Sequence, residues 1–220
     1  ISSLMGSLFK PKKAVRTIFF DIGGVVVDAP MAGYLKLGCQ FFGCDEQTLK
    51  RATAENLAAL EIAHIDSEKF WERVCENVAS NGGKTLQAWK FKGFWEGLLT
   101  DRLNVDQELL DLVRRLKAHC RVAVLSNVIK EHAVILQREK VYEHFNPVIL
   151  SCNVGIRKPD PKMYEKAGEL SKTTPARCLL VDDCTDNLEA AKKAGWRTFH
   201  YTQFDEFKRA MYQMGMLESA

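Results

Sequence analysis

Residues 17–28, which read TIFFDIGGVVVD, decide the fold. The apolar run at residues 18–20 is typical of a strand buried in a parallel sheet. Asp21 follows that run and is itself followed by Gly23 and Gly24. Open α/β sheets bind ligands at the carboxyl ends of their strands, and glycine permits a sharp turn and the close approach of a ligand to the backbone. Asp21 is therefore a candidate functional carboxylate, although a lone aspartate here equally suits the simple end of a strand.

Strands and helices alternate from residue 105 onwards. Apolar runs predict four more strands, at residues 121–126, 147–151, 177–181 and 197–201. Apolar positions at helical spacing predict helices at residues 109–116, 130–141, 163–170, 187–194 and 204–214. Because this alternation requires right-handed crossovers, the chain is predicted to be an α/β protein with a doubly wound parallel sheet.

Residues 29–104 have a different pattern, with apolar positions at helical spacing and no strand-like run. This block is predicted to be an all-helical insertion with Trp71, Trp89 and Trp95 in its core, leaving open that one or two of them face a ligand. The predicted domains are a core of residues 15–28 plus 105–220 and a helical cap of residues 29–104. Residues 1–14 are expected to be a leader or a tag remnant.

Composition excludes several classes of protein. The net charge is only +3 and no Lys/Arg cluster is interleaved with aromatic residues, so nucleic acid is not an expected partner. No apolar run approaches the ~18 residues of a membrane span. The seven cysteines are odd in number and form no C-x-x-C, which argues against a disulfide framework and a zinc site. A reducing, cytoplasmic location is predicted. Cys184 lies beside an acidic pair. It suits a packing role better than that of a nucleophile, because neighbouring carboxylates raise the pKa of a thiol and so disfavour the reactive thiolate.

Polar residues concentrate at the predicted carboxyl ends of the strands, which share one edge of a parallel sheet. They are Asp21, Ser126, Asn127, Asp182 and Asp183, with Lys158 in the Pro- and Gly-rich loop after the third strand. Two close carboxylates repel each other, and a hard dication such as Mg²⁺ relieves that repulsion. Hydroxyl, amide and ammonium groups can hold phosphoryl oxygens, and an aspartate can attack phosphorus to form an aspartyl-phosphate.

Four segments carry a resemblance to a known family. FFDIGGVVVD, LSN, the lysine of GIRKPDP, and VDDCTDN occur in the order of the four motifs of the haloacid-dehalogenase-like (HAD) hydrolases, and the helical block resembles that superfamily's cap. The resemblance covers residues 15–215. It implies that Asp21 is the nucleophile and that Asp21, the Gly23 carbonyl and Asp183 hold Mg²⁺.

The same resemblance implies roles for the other residues. Ser126 and Lys158 would bind the transferred group with support from Asn127, and the backbone of Gly23 and Gly24 would line the substrate site. Asp182 and Asn187 would support these groups from behind, with contact between Asp182 and the metal through water as an alternative.

The sequence departs from the family pattern at Gly23. Phosphatases of this superfamily usually carry a second aspartate there, which protonates the leaving group and later activates water, and losing such a group removes ~10²–10⁴ in rate. Glycine keeps the backbone carbonyl that the metal needs. D-x-G-N and D-x-G-G variants resemble a minority of members that includes sugar-phosphate phosphatases. Asp28 is a candidate replacement for the missing acid.

Three functions therefore compete. The first is a Mg²⁺-dependent phosphatase acting on a small phosphorylated metabolite, with sugar phosphates as candidates. The second is a catalytically weak or silent phosphate-binding domain, which Gly23 favours. The third is a haloacid dehalogenase, in which Asp21 attacks carbon. That reaction needs no metal and leaves the pair Asp182 and Asp183 unexplained.

Overall fold

A computed structural model describes residues 14–28, 31–91, 93, 97, 99–100 and 103–217. Its strands are β1 (Thr17–Phe20), β2 (Val27–Asp28), β3 (Asn104–Val105), β4 (Arg121–Ser126), β5 (Val148–Leu150), β6 (Cys178–Asp182) and β7 (Arg197–His200). Five of them form a parallel sheet in the order β5-β4-β1-β6-β7. The predicted α/β fold with a parallel sheet is confirmed, and β1 lies at the centre of the sheet.

The central strands β1, β4 and β6 are buried on both faces, which explains their apolar runs, whereas the edge strand β7 is only half-buried. In β1, Ile18 and Phe20 belong to one apolar cluster and Phe19 to another. The same alternation in β4 places Val124 in the first cluster and Leu125 in the second. Because side chains of a strand alternate between faces, two apolar layers form on opposite sides of the sheet and leave its carboxyl edge for polar residues.

The helices that cover the sheet are α4 (Gln107–Leu116), α5 (Lys130–Arg138), α6 (Ser151–Val154), α7 (Pro161–Ser171), α8 (Thr185–Lys193) and α9 (Phe204–Gln213). Several predicted bounds are wrong by a few residues, and two of these shifts have a clear cause. The helix expected to reach residue 141 ends at Arg138, because Lys140 adopts a left-handed backbone with φ of 62°. The strand expected to include Ser151 ends at Leu150, because Ser151 begins α6.

The segment between β2 and β3 is helical in its described part, as the predicted fold class requires. It contains α1 (Met31–Phe42), α2 (Glu46–Glu61), α3 (Ser67–Ser80) and a 3₁₀ turn (Ala88–Phe91). The helices α2 and α3 begin at the caps Asp45 and Asp66, whose side chains accept backbone N–H groups at 2.7 and 2.8 Å. None of the helices in the described part of the chain has the length and apolar character that a bilayer crossing requires.

The helical segment has an apolar cluster of its own, in which Phe42, Trp71 and Phe91 stack. The prediction that Trp71 belongs to this core is confirmed. The prediction for Trp89 was wrong: its side chain is 66% exposed, because the short 3₁₀ turn directs Phe91 inward instead. Trp95 lies outside the described residues.

The chain crosses between the sheet and the helical segment along a short antiparallel ladder of β2 and β3, which the sequence does not predict. Asp28 pairs with Asn104 in that ladder, and its side chain is exposed.

Candidate active site

Asp21 lies directly after the central strand β1, and its two carboxylate oxygens have different partners. Oδ1 accepts hydrogen bonds from the backbone N–H of Ile22 and the hydroxyl of Ser126, at 2.7 Å each. Oδ2 lies 3.0 Å from Nζ of Lys158. Burial raises the pKa of Asp21, and the positive charge of Lys158 opposes that rise. The structure thus brings Asp21, Ser126 and Lys158 together at one point of the sheet edge.

Lys158 is completely buried between two carboxylates. Its Nζ lies 2.5 Å from Oδ2 of Asp182, in addition to the contact with Asp21. Burial alone would lower the pKa of Lys158, but the attraction of Asp21 and Asp182 outweighs burial, and the net shift is upward. The ammonium group is therefore a fixed positive charge beside Asp21.

Asn127 fixes the loop that carries Lys158. Its side-chain nitrogen donates to the carbonyl of Lys158 at 2.9 Å, and its side-chain oxygen accepts from the N–H of Lys158 at 2.8 Å. Both ends of the amide face the backbone of Lys158. The predicted part of Asn127 in holding the transferred group stays a prediction.

Asp182 ends strand β6, and donors on several sides fix its carboxylate. Oδ1 accepts from the backbone N–H of Cys184 at 2.9 Å and from the side chain of Asn187 at 3.1 Å, while Oδ2 faces Lys158. The side chain is fully buried. Asp182 thus connects Asn187 to Lys158, and the supporting roles expected of Asp182 and Asn187 stay predictions.

Asp183 lies against the glycine turn that follows Asp21. Gly24 has φ of +74°, and a Cβ atom built there would lie 2.2 Å from Oδ2 of Asp183. Only glycine leaves room for this carboxylate beside the turn. Burial raises the pKa of Asp183, and the neighbouring charge of Asp182 raises it further. At Gly23, by contrast, a Cβ atom would meet nothing within 4 Å.

The carboxylates of Asp21, Asp182 and Asp183 form a cluster whose oxygens lie within 4.8 Å of one another. The single ammonium of Lys158 cannot balance three ionised carboxylates, which leaves excess negative charge in a cluster that runs from buried Asp182 to exposed Asp183. Hard oxygen donors with this excess charge suit a dication such as Mg²⁺. Gly24 leaves the space in which Asp183 lies beside the turn. There the carboxylates of Asp183 and Asp21 are close enough to hold one ion between them.

Two charged residues near this site were missed by the sequence analysis. Glu61, the last residue of α2, has a carboxylate that is only 13% exposed and lies 2.7 Å from Nε of Arg157. Arg157 precedes Lys158, so its place in the GIRKPDP loop was a usable signal. Glu61 ends an apolar helix stripe, a pattern that gives no indication of which way the helix faces.

Comparisons with known proteins agree with this geometry. The family model of the haloacid dehalogenase-like hydrolases matches residues 15–195. The curated D-ribitol-5-phosphate phosphatase of Bacteroides thetaiotaomicron is 24% identical over 199 residues, covering 84% of this chain and 91% of that protein.

Solved structures show the same fold. A HAD family enzyme of Bacteroides thetaiotaomicron superimposes with a TM-score of 0.71 at 19% identity, over 90% of this chain and 99% of that one. The same enzyme in complex with magnesium and inorganic phosphate gives 0.64 at 20% identity, over 84% and 93% of the two chains. A 2-haloacid dehalogenase of Pseudomonas syringae gives 0.58 at 18% identity, over 84% and 85%.

The family match spans most of the chain, and the four segments that carry the resemblance meet at one edge of the sheet. The chain belongs to the haloacid dehalogenase-like hydrolases.

Proposed function

We propose that this protein is a Mg²⁺-dependent phosphatase that acts on a small phosphorylated metabolite through an aspartyl-phosphate on Asp21. The observation that carries the proposal is the surroundings of Asp21. Its carboxylate lies 3.0 Å from Nζ of Lys158 and belongs to a cluster with Asp182 and Asp183 whose oxygens lie within 4.8 Å of one another. A phosphate ester is an anion, and an anionic nucleophile reaches it only where positive charge compensates the repulsion.

The carboxylates of Asp21 and Asp183 and the carbonyl of Gly23 are the groups that would hold Mg²⁺. When bound, the ion would neutralise the phosphate ester and stabilise the charge that develops on its oxygens. The carboxylate cluster and the space that Gly24 leaves for Asp183 support this assignment. The HAD family enzyme solved with magnesium and inorganic phosphate gives further support.

The protein's own groups supply the chemistry. A carboxylate oxygen of Asp21 attacks phosphorus, and the bond from phosphorus to the leaving oxygen breaks. The ammonium of Lys158 and the hydroxyl of Ser126, which donates to Asp21 in the free protein, hold the phosphoryl oxygens. Water then attacks the phosphorus of the aspartyl-phosphate, which releases phosphate and restores Asp21.

The substrate class that fits best is a phosphorylated sugar or polyol. The supporting fact is the similarity to a phosphatase of D-ribitol 5-phosphate, which this chain matches over 91% of that protein's length.

Two alternative functions fit the site less well. Dehalogenation needs no metal, and it leaves the excess charge of the carboxylate cluster without a purpose. A silent phosphate-binding domain is favoured by Gly23, since the usual acid is missing there. The intact group of Asp21, Lys158 and Asp183 favours turnover.

Release of phosphate from p-nitrophenyl phosphate, with and without Mg²⁺, tests the proposal. We expect Mg²⁺-dependent turnover that disappears in Asp21→Asn. Asp28→Asn is the matched control, because it removes an exposed carboxylate from the neighbouring ladder. Metal-independent halide release from 2-haloacids would indicate dehalogenation. Tight binding of beryllium fluoride without turnover on a panel of phosphometabolites would indicate a silent domain.

A further inference from the structure

The site has no acid at the position where one is needed. Cleavage of an alkyl phosphate leaves an alkoxide, which must receive a proton, and a positioned acid is worth ~10²–10⁴ in rate. Gly23 has no side chain, and the space around its Cβ position is open to 4 Å. Asp28 is exposed in the β2–β3 ladder, and Asp182 is fully engaged by Lys158, Asn187 and the N–H of Cys184. The core carboxylates therefore leave the proton donor unassigned.

The end of α2 brings another carboxyl group to the same edge of the sheet. The carbonyl of Glu61 accepts a hydrogen bond at 2.7 Å from the hydroxyl of Ser151, the residue that directly follows β5. The same hydroxyl accepts the N–H of Val128, two residues after Ser126, at 2.9 Å. These contacts tie the last residue of α2 to the carboxyl ends of β4 and β5.

The side chain of Glu61 is directed to the loop that holds Lys158. Its Oε2 lies 2.7 Å from Nε of Arg157, and the carboxylate is 13% exposed. That oxygen is buried, and within the described part of the chain it has no well-aligned hydrogen bond. The ion pair therefore fixes the direction of the carboxyl group, and Arg157 also opposes the rise in its pKa.

The electrostatics of Glu61 connect it to the reacting groups. Burial raises the pKa of Glu61 and the charge of Asp21 raises it further, while Arg157 and Lys158 oppose the rise. The net shift is upward. A carboxyl group with a raised pKa retains its proton closer to neutral pH, which is the property a general acid needs.

We propose that Glu61 is the acid and base of this active site and replaces the carboxylate that is missing at Gly23. The proposal rests on the phosphatase function above. As Asp21 attacks phosphorus and the bond to the leaving oxygen breaks, the Glu61 carboxyl gives its proton to that oxygen and the alcohol departs. The Glu61 carboxylate then takes a proton from water as the water oxygen attacks the aspartyl-phosphate, which releases phosphate and restores Asp21 and protonated Glu61.

The test is the dependence of rate on the leaving group. A series of substituted phenyl phosphates keeps the shape of the substrate while the pKa of the released phenol varies. In Glu61→Gln we expect kcat/KM to fall by ~10²–10⁴ for the poorest leaving group and to stay within about threefold for p-nitrophenyl phosphate. Glu61→Asp, which keeps the charge but shortens the reach, is expected to steepen the same dependence.

Two further variants separate catalysis from structure. Arg157→Met removes the partner that directs the carboxyl but keeps the acid itself, so the leaving-group dependence should lie between those of the wild type and Glu61→Gln. Gly23→Asp, added to Glu61→Gln, should restore the rate for poor leaving groups, because it supplies an acid at the usual position.

The outcomes are distinct. An equal loss across the series in Glu61→Gln, or a slope in Arg157→Met as steep as in Glu61→Gln, would overturn the role of Glu61 while the phosphatase function stands. The role of Glu61 would also be overturned if Gly23→Asp failed to restore the rate of Glu61→Gln for poor leaving groups. Wild-type protein that turns over no phosphate ester would overturn the phosphatase function, and the role of Glu61 with it.

Discussion

Replacing Lys158 by methionine should destabilise the protein strongly, because it leaves two buried carboxylates without their cation. The Nζ atom of Lys158 lies 3.0 Å from Asp21 and 2.5 Å from Asp182, and the carboxylate side chains are 13% and 0% exposed. Removing one partner of a buried ion pair costs about 3–5 kcal/mol, against a total stability of about 5–15 kcal/mol for a typical domain.

A surface ion pair of similar length provides the control. Nζ of Lys69 lies 2.7 Å from Oε2 of Glu72, but these side chains are 52% and 42% exposed. Lys69→Met should therefore change the free energy of unfolding by about 0–1 kcal/mol. Urea unfolding of both variants, followed by circular dichroism at neutral pH, measures the difference.

The pH dependence has a definite sign. The pKa of Asp21 is raised in the folded protein even beside Lys158, and removal of that cation raises it further. A carboxylate whose folded pKa exceeds its unfolded value destabilises the protein at high pH, and this penalty fades as the pH falls through the folded pKa. The deficit of Lys158→Met relative to wild type should thus shrink as the pH falls through the raised pKa of Asp21. A loss no larger than that of Lys69→Met, or a deficit that grows on acidification, would refute this electrostatic reasoning.

Three other substitutions have clear expectations. Gly24→Ala should cost about 1–2 kcal/mol of backbone strain and weaken Mg²⁺ binding about tenfold or more by calorimetric titration, because the new methyl group displaces Asp183. An unchanged affinity of Gly24→Ala for Mg²⁺ would show that the space beside Gly24 is not needed to place Asp183 for metal binding. Gly23→Asp should leave the urea midpoint nearly unchanged, since its Cβ position is open, and in the Glu61→Gln background it should raise the rate more for poor leaving groups than for p-nitrophenol. Equal rate gains for both kinds of leaving group would show that the missing acid at residue 23 does not limit the rate. Asn127→Ala should cost about 1–3 kcal/mol in urea unfolding through its two hydrogen bonds to Lys158, and a cost near zero would show that the loop is held otherwise.

Much of the fold could be predicted because its central strands are fully buried. The run at residues 121–126 matches β4 residue for residue, since a strand covered on both faces must be apolar throughout. The ladder of β2 and β3 could not be predicted, because a strand of two residues has no periodicity. The early end of α5 could not be predicted either, because Lys140 adopts a left-handed backbone conformation that is more usual for glycine or asparagine.

The candidate site also has residues that the sequence could place and residues that it could not. Asp21 and Asp183 end or follow buried strands, so the topology of a parallel sheet is enough to bring them to one edge. Glu61 reaches that edge only through the packing of α2 against Ser151, which depends on contacts between distant parts of the chain. Arg157 was within a quoted motif, and its importance becomes clear only from the contact with Glu61.

The most direct test of the account is to trap the intermediate on Asp21. An aspartyl-phosphate is an acyl phosphate, which borohydride reduces to homoserine, and peptide mass mapping then locates the modified residue. We predict conversion of residue 21 only when phosphate ester and Mg²⁺ are both present, and none in Asp21→Asn. Steady release of phosphate with residue 21 unmodified, or with the phosphoryl group on another residue, would contradict the role of Asp21 as the nucleophile.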